Sequence, residues 1–303
     1  MPAAYDLHGR IAFITGAARG IGAESARRLA SRGATIALVG LEPEEMERVA
    51  GECGNGSAAF EADVTDREQL AEVVEQVVER FGGIDVCMAN AGIGGGGPVR
   101  LADPAHFEQV IEVNLLGVYR TVHTCLPHVI DRRGYVLVVA SAAAVIHAPG
   151  MAAYAASKAG AEAFANSLRL EVRHHGVDVG VAYLSWIDTD LVRGTDAHPA
   201  TKGRRDRLPG FARKTYPVSA VGDAVAEGVE KRSRFVVVPG WVKVAMALRG
   251  LVWPLAERDA LKQWPDDEAA FERDIAERGS EVVSRPVGAG GEAATAARQR
   301  QRA

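Results

Sequence analysis

Two residues four positions apart, Tyr154 and Lys158, carry the chemistry written most plainly in this chain. A helix predicted over Met151–His174 puts both on one face, within reach of a common site. A free phenol titrates near pH ~10 and is a poor base at neutrality. An ammonium beside it favours the phenolate and draws that pKa down, so the pair can give and take a proton. Ser141 lies upstream at the end of a predicted strand, with twelve residues between it and Tyr154. A hydroxyl there can hydrogen-bond an oxygen on which charge develops. Taken singly, each has a bland explanation. A lysine one turn from a tyrosine usually points into solvent, and a serine at a strand end is ordinary turn chemistry.

A second constellation lies near the start. The predicted strand Ile11–Thr15 runs into Gly16-Ala17-Ala18-Arg19-Gly20-Ile21-Gly22, after which a helix is predicted over Ile21–Ser31. Glycines let the backbone turn tightly and approach a ligand with no Cβ in the way. The helix N-terminus then offers free N–H groups and a positive dipole end to a pyrophosphate. The spacing is G-x-x-x-G-x-G, not the commoner G-x-G-x-x-G. Its place after the first strand makes a dinucleotide the expected ligand.

The elements that must position these residues alternate. Short apolar runs at Ile11–Thr15, Thr35–Val39, Ala58–Glu61, Val86–Ala89, Tyr135–Ala140, Asp178–Leu184 and Arg234–Val238 read as strands buried on both faces. Helical patterns lie between them, among them Arg67–Phe81 and Pro104–Leu126. The fold class is therefore α/β, one doubly wound domain on a parallel seven-stranded sheet. Residues 1–240 form that domain, and 241–303 form a partly helical C-terminal extension with a disordered tail from about 285. Residues Arg193 to Pro217 are polar and rich in Gly, Pro, Arg and Lys, and read as a mobile loop. The substrate loop is set at about 190–217.

Composition narrows the partners. With 303 residues, 48% of them hydrophobic and a net charge of −4, the chain has no basic field for nucleic acid. The three cysteines, Cys53, Cys87 and Cys125, form no CxxC pair. They suit a reducing compartment and argue against a disulfide framework or a zinc site, so no metal is expected. Residues Met1 to Arg10 lack an apolar signal region, which makes the cytoplasm the expected location. The apolar stretch Trp241–Leu255 is too short and too charged to span a membrane comfortably. It reads as a helix packed on its own domain or on a partner subunit, with a lipid-surface contact as the alternative.

Further marks appear in order: Ala62-Asp63-Val64, Asn90-Ala91-Gly92, Asn114 in Val113-Asn114-Leu115-Leu116-Gly117, Ser141, and Tyr154-Ala155-Ala156-Ser157-Lys158. Together with the glycine loop they resemble the classical short-chain dehydrogenase/reductase family over roughly residues 7 to 190. Such a resemblance implies a Rossmann-type fold and an NAD(P)-dependent oxidoreductase interconverting an alcohol and a ketone. It implies a catalytic tetrad of Asn114, Ser141, Tyr154 and Lys158, in which Lys158 also holds the nicotinamide ribose and Asn114 anchors a water. It places the cofactor against Gly16, Ala18, Arg19, Gly20, Ile21 and Gly22, then Gly40, Leu41 and Glu42. Asp63, Val64, Asn90, Ala91, Gly92, Tyr154, Lys158, Ile187 and Thr189 complete the set. The helix of Tyr154 commonly meets its mate in a second subunit in this family, and Ala155, Ala156, Ala159, Gly160 and Ala163 permit close approach. A homodimer or homotetramer is expected.

The choice of cofactor turns on the end of the second strand. Gly40 stands where an NAD enzyme usually has an acidic residue, which leaves room for a 2′-phosphate. Arg19 can supply the cation for it, so NADP is favoured. Glu42 is close enough to act as a displaced carboxylate, which keeps NAD open. After the sixth strand the family usually has Pro-Gly, whereas this chain has Ser185-Trp186-Ile187-Asp188-Thr189. Trp186, Ile146 and the Trp241–Leu255 segment point to a bulky apolar alcohol or ketone. Lys202, Arg204, Arg205 and Arg207 read as a solvated run rather than an anion site. A dinucleotide-binding regulator without chemistry is the alternative, and the intact tetrad argues against it.

Overall fold

The computed structural model describes residues 5–302, without the side chains at 252, 253, 255, 256, 301 and 302. The first half alternates strand and helix: β1 (Ile11–Thr15), α1 (Gly20–Ser31), β2 (Thr35–Gly40), α2 (Pro43–Cys53), β3 (Ala58–Glu61), α3 (Arg67–Phe81) and β4 (Val86–Ala89). Next come α4 (Pro104–Ile111), α5 (Gly117–Asp131), β5 (Tyr135–Val139), α6 (Ala152–Val172) and β6 (Asp178–Leu184). The rest is α7 (Asp190–Ala197), α8 (Gly210–Arg213), α9 (Val218–Glu230), β7 (Phe235–Val238), α10 (Trp241–Ala247), α11 (Arg249–Arg278), α12 (Ser280–Ser284) and α13 (Gly288–Arg302).

The seven strands are all parallel, in the order β3-β2-β1-β4-β5-β6-β7. Each strand is an apolar run because helices cover both faces. One apolar cluster lies under α3 to α6, and the other under α1, α2 and α9. The order reverses between β1 and β4. At such a switch point the loops leaving neighbouring strands diverge and open a crevice at their C-terminal ends.

Local signals set the helix ends. Asp66 caps α3 by accepting from the Glu68 and Gln69 N–H groups, and Gly82 ends it in a left-handed conformation. Pro104 occupies the first turn of α4, where its missing N–H costs nothing, and Asp103 caps that helix. The single helix predicted over Pro104–Leu126 is instead α4 and α5 joined by a π-helical turn, Glu112–Leu116, which seats Asn114.

Two expectations need correction. The segment 193–217 is not a loose loop. It contains most of α7 and all of α8, and three of its arginines are paired: Arg204 with Asp267, Arg205 with Asp196, Arg207 with Asp267. Buried Asp267 on α11 pairs with two of these guanidiniums; Arg204 and Arg205 are half-buried, while Lys202 and Arg207 stay exposed. The tail from 285 is not disordered either. It forms α13, with Ala294 and Ala297 buried. Its Ala, Gln and Arg residues are good helix formers, and the packed alanines supply the remaining stability.

The extension holds on through a small core of Ala200, Phe271 and Val283, flanked by Leu101, Trp264 and Ile275. Burying Phe271 stabilises this contact by roughly 2 kcal/mol. In the Trp241–Leu255 stretch, Val242 and Ala245 are buried while Val244, Leu248 and Leu251 face solvent. Among the described residues no helix is long and apolar enough to cross a membrane.

Candidate active site

The crevice at the switch point holds a cavity of about 480 Å³. Its floor is the turn from β1 into α1. Gly16 has φ +64°, and a Cβ there would stand 2.9 Å from the Ala91 Cα. A Cβ on Gly22 would stand 2.2 Å from the Gly16 carbonyl oxygen. Only glycine fits either position. α1 begins with no side-chain cap and no acidic residue in its first turn, so its N–H groups are left to a ligand in the cavity. That cradle fits a pyrophosphate.

The loop after β4 is locked onto this turn. Asn90 Nδ2 donates to the carbonyls of Thr15 and Gly16 at 2.9 and 3.1 Å. The N–H groups of Asn90 and Ala91 donate to Thr15 Oγ1 at 3.1 and 3.2 Å. Asn90 thus acts on the cavity by shaping its floor. Asp63 and Val64, at the end of β3, and Gly40, Leu41 and Glu42, after β2, form one end wall. Ile187 and Thr189 line the other end, and Thr189 also caps α7 through the Val192 N–H.

Ser141, Tyr154 and Lys158 line the same cavity. Ser141 Oγ accepts from the Ala143 N–H at 3.1 Å and donates to the Leu184 carbonyl at 3.3 Å, which fixes its rotamer. Burial pushes the Tyr154 phenol up, and a hydrogen bond with the Ser141 hydroxyl works the other way. Lys158 is 4% exposed, its Nζ donating to the Val139 carbonyl at 2.9 Å and lying 5.8 Å from the Tyr154 ring centre. Burial pushes its pKa down to about 8. Burial thus works against the charged form of each group, raising the phenol and lowering the ammonium.

Asn114 does not line the cavity. It lies fully buried behind Gly92, and a Cβ on Gly92 would be 3.3 Å from both Asn114 Oδ1 and Lys158 Nζ. Its amide is engaged by the Ile93 backbone in both directions, at 2.8 and 2.9 Å, and by Ser157 Oγ at 3.2 Å. The side chain braces the loop after β4 against the helix that bears Tyr154 and Lys158.

Arg19 departs most from its expected role. Its guanidinium is clasped by Glu42 and also reaches Asp190 at 3.3 Å. Asp190 is held more closely by Arg193, at 2.8 Å, so Arg19 is engaged chiefly by Glu42. Trp186 is turned away from the cavity lining, with Arg205 stacked 5.3 Å from its ring centre. Ile146 packs on the sheet core, and none of the described side chains of 241–255 lines the cavity.

Sequence reasoning missed the C-terminal contribution. Val287, Gly290, Gly291, Ala293, Ala294 and Arg298 line the same cavity as Ser141 and Tyr154. Gln109 on α4 lines it too and donates to the Ala294 carbonyl at 3.3 Å. A run of Gly and Ala with scattered arginines carries no periodic apolar signal by which to find it.

Comparison with known proteins agrees with this geometry. The profile of the short chain dehydrogenases matches residues 10–200. A 2,3-dihydro-2,3-dihydroxybenzoate dehydrogenase of Bacillus subtilis is 36% identical over 192 residues, covering 62% of this chain and 74% of that protein. A 3beta-hydroxysteroid dehydrogenase of Eggerthella lenta is 31% identical over 209 residues, covering 67% and 80%. Among solved structures, a 3-ketoacyl-(acyl-carrier-protein) reductase from Brucella melitensis complexed with NADH is similar at a TM-score of 0.69. It shares 27% identity and covers 77% of this chain and 97% of its own.

Proposed function

Because the chain belongs to the short-chain dehydrogenase family, and is on that ground an NAD(P)-dependent oxidoreductase, we propose that it interconverts a bulky apolar ketone and its alcohol using NAD. The observation that carries the reading is that Ser141, Tyr154 and Lys158 line the same cavity as the glycine cradle.

When bound, the nicotinamide supplies or accepts the hydride. Tyr154 gives its phenolic proton to the carbonyl oxygen in reduction and takes the alcohol proton in oxidation. The Ser141 hydroxyl hydrogen-bonds the same oxygen and stabilises the charge that develops on it. Lys158, buried with one hydrogen bond among the described residues, has donors left for the hydroxyls of a ribose. Acceptors brought to Nζ favour its charged form, and a charged Nζ beside the phenol draws the Tyr154 pKa down.

NAD is proposed over the NADP expected from Gly40, because Arg19 already answers to Glu42 and Asp190. Apolar lining from Ile93, Leu184, Leu191 and Val192 supports a substrate with an apolar body. A homodimer or homotetramer is proposed from the exposed row of Leu116, at the end of the π-helical turn, with Tyr119 and His123 on α5, beside Ala156, Ala163 and Leu170 on α6. Exposed Val244, Leu248 and Leu251 are read as further subunit contact rather than as a lipid surface. Three free thiols, two of them buried, support a cytoplasmic location.

The test is Tyr154→Phe against a panel of ketones and alcohols. Turnover is expected to fall by about 10²- to 10⁴-fold with NADH affinity kept, which is the size of a general acid–base contribution. Unchanged turnover would remove Tyr154 from the mechanism. Nucleotide binding with no turnover in the wild type would favour a regulator.

A further inference from the structure

We propose that α13 is a strap over the bound dinucleotide, so that the cofactor enters and leaves only when this helix lifts. The proposal rests on the reading that the cavity takes a nicotinamide dinucleotide.

The strap bridges the two banks of the cleft. At its start, Gly288 is pressed on α7, where a Cβ would stand 2.7 Å from the Asp190 carbonyl oxygen. Asp190 in turn reaches Arg19 in the phosphate loop at 3.3 Å, so this end sits beside the cradle. On the opposite bank, Arg298 donates to the Ala105 carbonyl and lies 3.4 Å from Gln109 Oε1. Gln109 Nε2 returns a bond to the Ala294 carbonyl at 3.3 Å. The segment leading in is fixed at Ser284, whose carbonyl and Oγ accept from the Gly96 and Asp103 N–H groups, each at 3.0 Å. Between these anchors α13 faces the cavity with small residues, leaving depth beneath it for a ligand.

The lining of the cavity decides what lies under the strap. It runs from Glu42 and Asp63 past the glycine cradle to Lys158 and Ile187, which is the full set expected to meet a dinucleotide. Residues of α13 line the same cavity as that set. Its hold is modest, because only small side chains are buried on it, so it can lift without unfolding the domain.

Two variants of the full chain test this, with NADH binding and displacement followed by nicotinamide fluorescence in stopped flow. Gly290 lines the cavity and a Cβ there meets no atom within 4 Å, so Gly290→Leu has room in the protein and adds bulk at the cavity's lining. It is expected to weaken NADH binding about tenfold or more, with the cofactor-free melting temperature unchanged. Arg298→Ala, which loosens the far anchor, is expected to speed NADH dissociation roughly fivefold or more, since loosened contacts act mainly on the off-rate. Should Gly290→Leu fail to fold, the Arg298→Ala off-rate decides. Wild-type NADH affinity and off-rate in the folded variants would overturn the strap, as would an effect confined to the KM of the ketone. Wild-type protein that binds neither NADH nor NADPH would overturn the underlying cofactor reading instead.

Discussion

Burial sets the behaviour of Lys158. With its pKa pushed down to about 8 in the fold, it differs from an unfolded lysine titrating near ~10.4. Between those values the unfolded chain holds a proton that the folded chain has released, so stability rises with pH there. Below about pH 8 both states hold it and the full cost remains, on the order of 3 kcal/mol. Lys158→Met is therefore expected to raise the cofactor-free melting temperature by a few degrees at pH 7 and to abolish turnover. That advantage is expected to vanish by about pH 10 to 11, where lysine is neutral in both states. Equal melting curves of the two proteins at pH 7 would refute the argument. Glu42 allows a second check. Glu42→Gln removes one of the two carboxylates on Arg19 and is expected to shift preference towards NADPH by about tenfold in paired fluorescence titrations. An unchanged ratio would detach Arg19 from cofactor choice. That Tyr154, Lys158 and Ser141 line one cavity was foreseeable from their types and spacing within a short stretch. The partnership of Arg19 with Asp190, 171 positions away, is visible only once β6 has brought the two together.

At the scale of elements, the phosphate loop is the part with least freedom. Gly22→Ala would press a methyl group on the Gly16 carbonyl oxygen, and backbone must move to admit it. Nicotinamide binding is expected to be lost, with destabilisation of about 1–3 kcal/mol measurable by urea unfolding. An alanine variant that binds NADH normally would show that the cradle is not the binding floor. Most strands were legible as apolar runs bounded by turn residues. The break at Glu112–Leu116 was not, because one extra residue in a helical turn barely disturbs the 3.6-residue pattern on either side. α13 was hidden for another reason. It packs through Ala294 and Ala297, side chains too small to raise an amphipathic signal.

For the molecule as a whole, the exposed faces of α5 and α6 carry the expectation of assembly. Leu170 is 74% exposed and Leu116 is 38% exposed, a costly arrangement for a lone subunit with this much apolar surface nearby. The double variant Leu116→Asp/Leu170→Asp is expected to shift the protein to monomers in light scattering at micromolar concentration. A wild-type monomer under those conditions would remove the proposal. Of the small residues on α6, Ala155 turns inward and Gly160 packs against Leu115, so neither is offered to a second subunit.

The strand order has a consequence for how the chain reaches this state. β1 pairs with β2 nearby, but its other neighbour is β4. The link is sealed by buried Asp85, which accepts from the Ile11 N–H and from Arg10 across 75 positions of sequence. No hairpin shortens that search, because every pair in the sheet is parallel. Folding must therefore close long loops before its central pairing forms, which is slow by the usual relation between contact order and rate. During synthesis β1, β2 and β3 emerge first as a half-sheet whose inner edge waits, unpaired, for β4. That apolar edge is the surface most exposed to mispairing until the second half arrives, and it is where a chaperone would be needed.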